Sequence, residues 1–204
     1  NPMIRLMLRY IRYLFLSGHR KGHGVHSPYA YRLINEVISS RLRSADSKML
    51  ESEIRRLRRR KTLINVSYIG SGSKVNNKNR RSISDIARNS SIRTKYGNLL
   101  YRLASDYNPE TILELGTGIG ISTSWLALAA KNKEVLTVEG ASEKLEFARN
   151  FHGRLGFDNI RYVSSDFDEF LNGFQAEQKP LLVFIDGNHT YEATMRYFKR
   201  LSTI

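Results

Sequence analysis

The chain has 204 residues, with 33 Lys+Arg against 19 Asp+Glu, a formal net charge of +14 and 41% hydrophobic residues. That length gives one domain with a full core, or one domain plus an extension, and the apolar content excludes wholesale disorder. With no cysteine, disulfides, thiolate metal sites and a cysteine nucleophile are excluded, and a reducing, cytoplasmic location is the expectation.

The charge is uneven along the chain. Residues 1–104 hold 23 Lys+Arg and 5 Asp+Glu, whereas residues 105–204 hold 10 and 14. Two regions with different jobs are expected, a basic and mainly helical N-terminal extension over 1–104 and an α/β domain over 105–204. Residues 3–16 read as a helix apolar nearly all round, with Arg5, Arg9 and Arg12 in one stripe. No apolar run reaches membrane-spanning length. A glycine-containing loop with His19, His23 and His26 follows, read as a loop over a ligand rather than a metal site, since no carboxylate is near. Ser27-Pro28 opens a helix to about Arg43, and Asp46 is placed as the cap of another, striped by Leu50, Ile54 and Leu57. Its basic end, Arg55–Lys61, is either a solvated face or a phosphate-binding surface. TLINVSYIGSGSKV at 62–75 imitates a strand and glycine turn, but no apolar helix follows to complete a βαβ unit, so it is read as a decoy. Short helices are expected at 82–90 and 93–106.

From residue 110 apolar strand-like runs alternate with helical ones: TILELG, EVLTVEG, IRYVSSD and LLVFIDG, each followed by an amphipathic segment. Four strands with helical crossovers predict a Rossmann-like, doubly wound parallel sheet. Trp125, on the helix after the first strand, reads as core.

The first strand leads into ELGTGIG, with Gly116, Gly118 and Gly120 spaced G-x-G-x-G. The dinucleotide fingerprint is G-x-G-x-x-G. Glu114, just before the loop, would repel a pyrophosphate and attract a cationic amine, which favours a zwitterionic sulfonium nucleoside over NAD. Glu139 closes the second strand, where an acid accepts ribose hydroxyls, and Asp166 closes the third, where an adenine amino group would lie. A purely structural sheet with tight-packing glycines is the bland alternative.

Together ELGTGIG, TVEG, SSDF and FIDGNHTYE resemble the class I S-adenosylmethionine-dependent methyltransferases, over about residues 110–200. FIDGNHTYE is most similar to the O-methyltransferases. The resemblance implies that Gly116 and Gly118 pass under the methionine part and that Thr117, between them, also belongs to the cofactor site. It implies that Glu114 reads its amino group, Glu139 and Gly140 the ribose, and Asp166 the adenine, with Asp186 completing the cofactor site. It also implies a seven-stranded core in the order 3-2-1-4-5-7-6, of which four strands are visible. The natural chain is therefore expected to continue past Ile204, because LLVFI would otherwise be an exposed apolar edge. If it does not continue, a homodimer across that strand is expected.

Asp186 ends the fourth strand and His189 follows three residues later. One reading has His189 as general base and Asp186 as a Mg²⁺ ligand, in line with the related O-methyltransferases. The other has Asp186 holding a loop and His189 capping a helix. The expected function is O-methylation of a small hydroxylated acceptor. The alternatives are an RNA methyltransferase (ribose or base) using the basic half, and a non-catalytic basic protein that binds RNA or a membrane surface on a retained cofactor fold. Against base-amino methylation stands Asp186-Gly187-Asn188-His189, where a proline-rich tetrapeptide is usual; carbon-5 methylation needs a cysteine.

Overall fold

The computed structural model describes residues 2–16, 27–40, 44–67, 79–176 and 179–204. The histidine loop and the glycine turn of the decoy lie outside the described residues, whereas the helix expected to reach about Arg43 ends at Ile38, with Ser39 as its C-cap. Two compact units emerge, Asn1–Arg41 and Leu42–Ile204.

The first unit holds α1 (Pro2–Leu16) and α2 (Pro28–Arg32), which continues as a π-helical turn over Leu33–Ile38. Ser27 caps α2, its side chain accepting from the Ala30 amide, with proline at the first helical position.

The second unit begins with α3 (Ala45–Leu57). Its cap is Ser44, not Asp46. The Ser44 hydroxyl accepts from the Ser47 amide and Ser47 reciprocates, a capping box that leaves Asp46 free to pair with Lys131 at 2.8 Å. At the basic end of α3, Arg55 and Arg56 pair along the helix with Glu51 and Glu53, and Arg60 lies 5.2 Å over the Phe147 ring. Part of the decoy segment is a genuine short strand: β1 (Leu63–Asn65) pairs antiparallel with β2 (Arg80–Ser82). Then come α4 (Ile83–Asn89) and α5 (Thr94–Tyr107).

The main sheet is parallel, in the order β5-β4-β3-β6, from β3 (Thr111–Leu115), β4 (Glu134–Glu139), β5 (Ile160–Ser164) and β6 (Leu181–Ile185). Helices α6 (Ile121–Ala129), α7 (Ser142–Leu155), α8 (Phe167–Gly173) and α9 (Tyr191–Leu201) connect and flank it. Because successive side chains point to opposite faces, Leu113, Leu115, Leu136 and Val138 pack on α8 and α9, while Ile112 and Val135 pack on α5 and α6. Among the described residues β6 is one edge of the sheet, with all five residues half-buried.

Helix α6 explains why the compact unit starts at Leu42 rather than at 105. Eight of its nine residues are buried, more than one sheet face can cover. Leu50, Ile54, Ile64, Ile83 and Ile86 close over its outer side in one cluster with Ile121 and Trp125. Trp125 is fully buried. Helix α5 approaches it so closely that a Cβ on Gly97 would sit 2.2 Å from Trp125 Nε1.

Candidate functional site

The carboxyl ends of the four parallel strands form the site, as open α/β sheets dictate. Between β3 and α6 the chain turns through Gly116, Gly118 and Gly120, all at positive φ. At Gly116 (φ +112°) a Cβ would fall 2.6 Å from the Asp186 carbonyl oxygen, so glycine lets the β3 and β6 ends close together. At Gly120 (φ +87°) the obstruction is His152, 2.6 Å away at Nε2. Gly118 differs, because a Cβ there meets nothing within 4 Å; it faces a cavity.

That cavity, about 240 Å³, is lined by Gly116, Thr117, Gly118, Glu139, Asp186 and His189, among others. A neighbouring one of about 230 Å³ is lined by Gly140, Ser165, Asp166, Phe167, Asn188 and Tyr197, and Phe167 and Asn188 belong to both. A larger cavity of about 690 Å³ opens beside Thr111, Glu134 and Arg161. It touches the opposite, amino ends of the strands and none of the glycine loop, so we place no ligand of this site there.

Glu139 is nearly buried, and both carboxylate oxygens accept from backbone: Oε2 from Gly118 N–H at 2.8 Å, Oε1 from Ala141 N–H at 2.9 Å. Lys144 Nζ stands 3.7 Å from it. Each oxygen retains a lone pair, so the acid can still take hydroxyl donors.

Glu114 is fully buried behind the loop and does not line the cavity wall. Its Oε2 accepts from Thr123 Oγ1 at 2.5 Å and Thr137 Oγ1 at 2.7 Å, while Oε1 has no hydrogen-bond partner among the described residues. Burial pushes its pKa up to about 7, against the hydroxyls of Ser122, Thr123 and Thr137, with the Asp186 charge adding to the rise. An unpartnered buried oxygen on a carboxylate that resists ionisation fits a cationic donor, the kind an amino-acid ammonium supplies.

Asp166 is exposed and caps α8, accepting from the Asp168 amide at 2.8 Å and the Glu169 amide at 3.4 Å. Asp186 is half-buried and burial raises its pKa, which His189 opposes. His189 Nε2 lies 3.9 Å from Asp186 Oδ1, beyond hydrogen-bond reach, with its ring largely in solvent. The cap of α9 is Thr190, which accepts from the Ala193 amide, so His189 does not cap that helix. Mg²⁺ takes six oxygen ligands, usually one or two of them carboxylates. Among the described residues no group of three His, Cys, Asp or Glu could hold a metal. Asp186 has His189 beside it and the buried Glu114 near enough to feel its charge, so as a Mg²⁺ ligand it would supply one carboxylate, the remaining positions falling to water or acceptor oxygens.

Sequence reasoning missed several lining residues: Arg81, Ile86, Ser90, Ser91 and Ile92 from the segment before α5, and Lys144 from α7. No local motif marks the first five, which reach the cavity only because β2 and α4 pack over α6. Lys144, one turn into the helix after Glu139, carried a positional signal. The Gly120–His152 contact was also missed. His152 is fully buried, and its Nε2 donates to the Gly120 carbonyl at 2.8 Å. Its Nδ1 therefore accepts from Tyr162 Oη at 2.7 Å. Burial drops the His152 pKa to about 4 and lifts Tyr162 to about 12.

Residues 113–203 match a family described as a methyltransferase domain. The chain is 41% identical over 64 residues to a protein-L-isoaspartate O-methyltransferase of Methanocella arvoryzae, covering 31% of this chain and 34% of that protein. It is 30% identical over 73 residues to a ribosomal RNA small subunit methyltransferase G of Borrelia turicatae, covering 36% and 35%. The chain thus spans about a third of the length of these curated relatives. In fold it is similar to the O-methyltransferase TomG of Streptomyces achromogenes, crystallised with SAM, at a TM-score of 0.52 and 23% identity over 57% of this chain and 53% of that one.

Proposed function

We propose that this chain, whose residues 113–203 match a methyltransferase domain, binds S-adenosylmethionine and methylates a hydroxyl oxygen of a small acceptor. The observation that carries the reading is the cavity in which the glycine loop, Glu139 and the Asp186–His189 pair meet. Bound there, the cofactor supplies a methyl group already activated on a sulfonium.

The chain's own residues then have three tasks. Glu114, buried behind the loop, acts on the amino group through its charge rather than by lining the cavity, and Gly116, Thr117 and Gly118 lie under the methionine part. Glu139 and Gly140 hold the ribose, and Asp166, whose second oxygen is not used in capping α8, reads the adenine. His189 takes the acceptor's hydroxyl proton as its oxygen attacks, with Asp186 beside the ring to stabilise the charge. A second reading, with RNA as the acceptor, is favoured by the likeness to the ribosomal RNA methyltransferase.

A transfer assay with methyl-labelled S-adenosylmethionine, over hydroxylated small molecules and over RNA, separates the two. Label on a small phenol or alcohol supports the first reading. Label confined to RNA replaces it with the second, and no label on any acceptor in a chain that binds the cofactor removes both.

A further inference from the structure

The remaining unexplained surface is on α1. Met3, Ile4, Met7, Tyr10 and Ile11 fall within an arc of about 120° on this helix, and Arg5, Arg9 and Arg12 within about 60° on the other side. An apolar stripe of that width ordinarily faces a core. Here it faces water, with Ile4 59% and Met7 65% exposed. Contiguous apolar surface of this kind marks a binding face.

We propose that α1 is an interfacial helix that docks the protein on an anionic lipid surface. The charge decides the occupant. Residues 1–41 carry seven Lys+Arg and a single acid, Glu36, and α1 itself carries no acid. Arginines flanking an apolar arc reach lipid phosphates while the arc enters the acyl boundary, and their stems extend the apolar face. A helix pair between two copies would need a narrow seam, whereas Leu6 and Leu8, outside the arc, are exposed as well. The helix lies on the membrane rather than across it. Its 15 residues span about 22 Å, short of the ~30 Å hydrocarbon core, and three arginines interrupt them. The inference is independent of the methyl-transfer reading, because it uses no residue of that site.

The test is co-sedimentation of the full chain with vesicles of phosphatidylcholine alone and of phosphatidylcholine with phosphatidylglycerol, beside a binding assay with a single-stranded oligoribonucleotide. Two triple variants are compared, I4D/M7D/I11D and R5Q/R9Q/R12Q, with thermal unfolding to confirm that the Leu42–Ile204 unit stays folded. The full chain should sediment with the anionic vesicles and not the neutral ones. Replacing the three arginines should weaken this roughly a hundredfold, and the aspartate variant should lose it while still binding the oligoribonucleotide like the parent. An aspartate variant that sediments like the parent overturns the proposal, since the attraction would then come from charge elsewhere, such as Arg55–Lys61. So does failure of the parent to sediment, and so does a lipid-free dimer that the aspartate variant dissolves.

Discussion

The Gly118 N–H donates to Glu139 Oε2 at 2.8 Å, joining the tip of the glycine loop to the acid that closes the next strand. The bond spans 21 residues of sequence and fixes the loop and the strand-end acid as one unit before any ligand arrives. Glu139→Ala removes both this acceptor and the one for Ala141 N–H. Through the ribose hydroxyls, which would lose their buried acceptor, we expect S-adenosylmethionine affinity to fall by about 1–3 kcal/mol, read by titration calorimetry.

Glu114 gives a protonic signature to binding. With its pKa near 7 in the free protein, it is about half protonated at neutral pH. A cationic amine bound in front of the loop favours the ionised form, so binding near pH 7 should release a fraction of a proton. Calorimetry in buffers of different ionisation enthalpy measures this directly. Glu114→Gln should bind with no such release; an unchanged release in that variant means that another group supplies the proton.

The same two buried groups act on stability in opposite directions. Glu114 has a folded pKa raised from 4.5 to about 7. The folded state therefore holds more protons, and its contribution declines as pH rises through that window. His152 has a folded pKa lowered from 6.5 to about 4. The unfolded state holds more protons there, and stability increases from pH 4 to 6.5. In the parent chain the two slopes offset each other between about pH 4.5 and 6.5. Removing Glu114 (Glu114→Gln) should expose the rising His152 slope in denaturant titrations over that range.

Gly97→Ala tests the seam between α5 and α6. In an open helix this change stabilises by about 1 kcal/mol. Here the new methyl meets the buried Trp125 ring at 2.2 Å, and overpacking of about 1–3 kcal/mol should win. Chemical denaturation should show a lower midpoint, and a higher one would mean that the ring has room to move.

His189→Ala should abolish or sharply reduce methyl transfer, by roughly 10²–10⁴-fold as for loss of a general base, and leave cofactor affinity unchanged. Full activity in the variant would place the base elsewhere. Equal losses of binding and turnover would make His189 a cofactor contact instead.

Much of the sheet was legible because β3 and β4 are apolar runs followed by glycine or an acid, and parallel strands buried on both faces leave that pattern. β6, LLVFI, has the same pattern although it lies at the sheet edge and is half-buried. The cavity's first wall was legible for the same reason, since Gly116, Gly118, Glu139 and Asp186 sit at strand ends. The second wall was not. Arg80–Ser82 has three polar residues and no alternation, yet it pairs with Leu63–Asn65 and brings Arg81 to the cavity. Nor does any local signal tell that Leu50 and Ile54 cover Trp125, because an amphipathic stripe shows that a face is buried but not against what. Ser44 rather than Asp46 caps α3 for an equally local reason: both are good caps, and the reciprocal Ser47 bond decides.

The central claim is that the glycine loop and strand-end acids form an S-adenosylmethionine site. Calorimetric titration of the full chain with S-adenosylmethionine tests it most directly, with S-adenosylhomocysteine as competitor and Glu139→Ala alongside. One saturable site is expected, displaced by the competitor and weakened in the variant. A folded chain that gives no binding heat in two buffers, or a Glu139→Ala chain that binds as tightly as the parent, would contradict it.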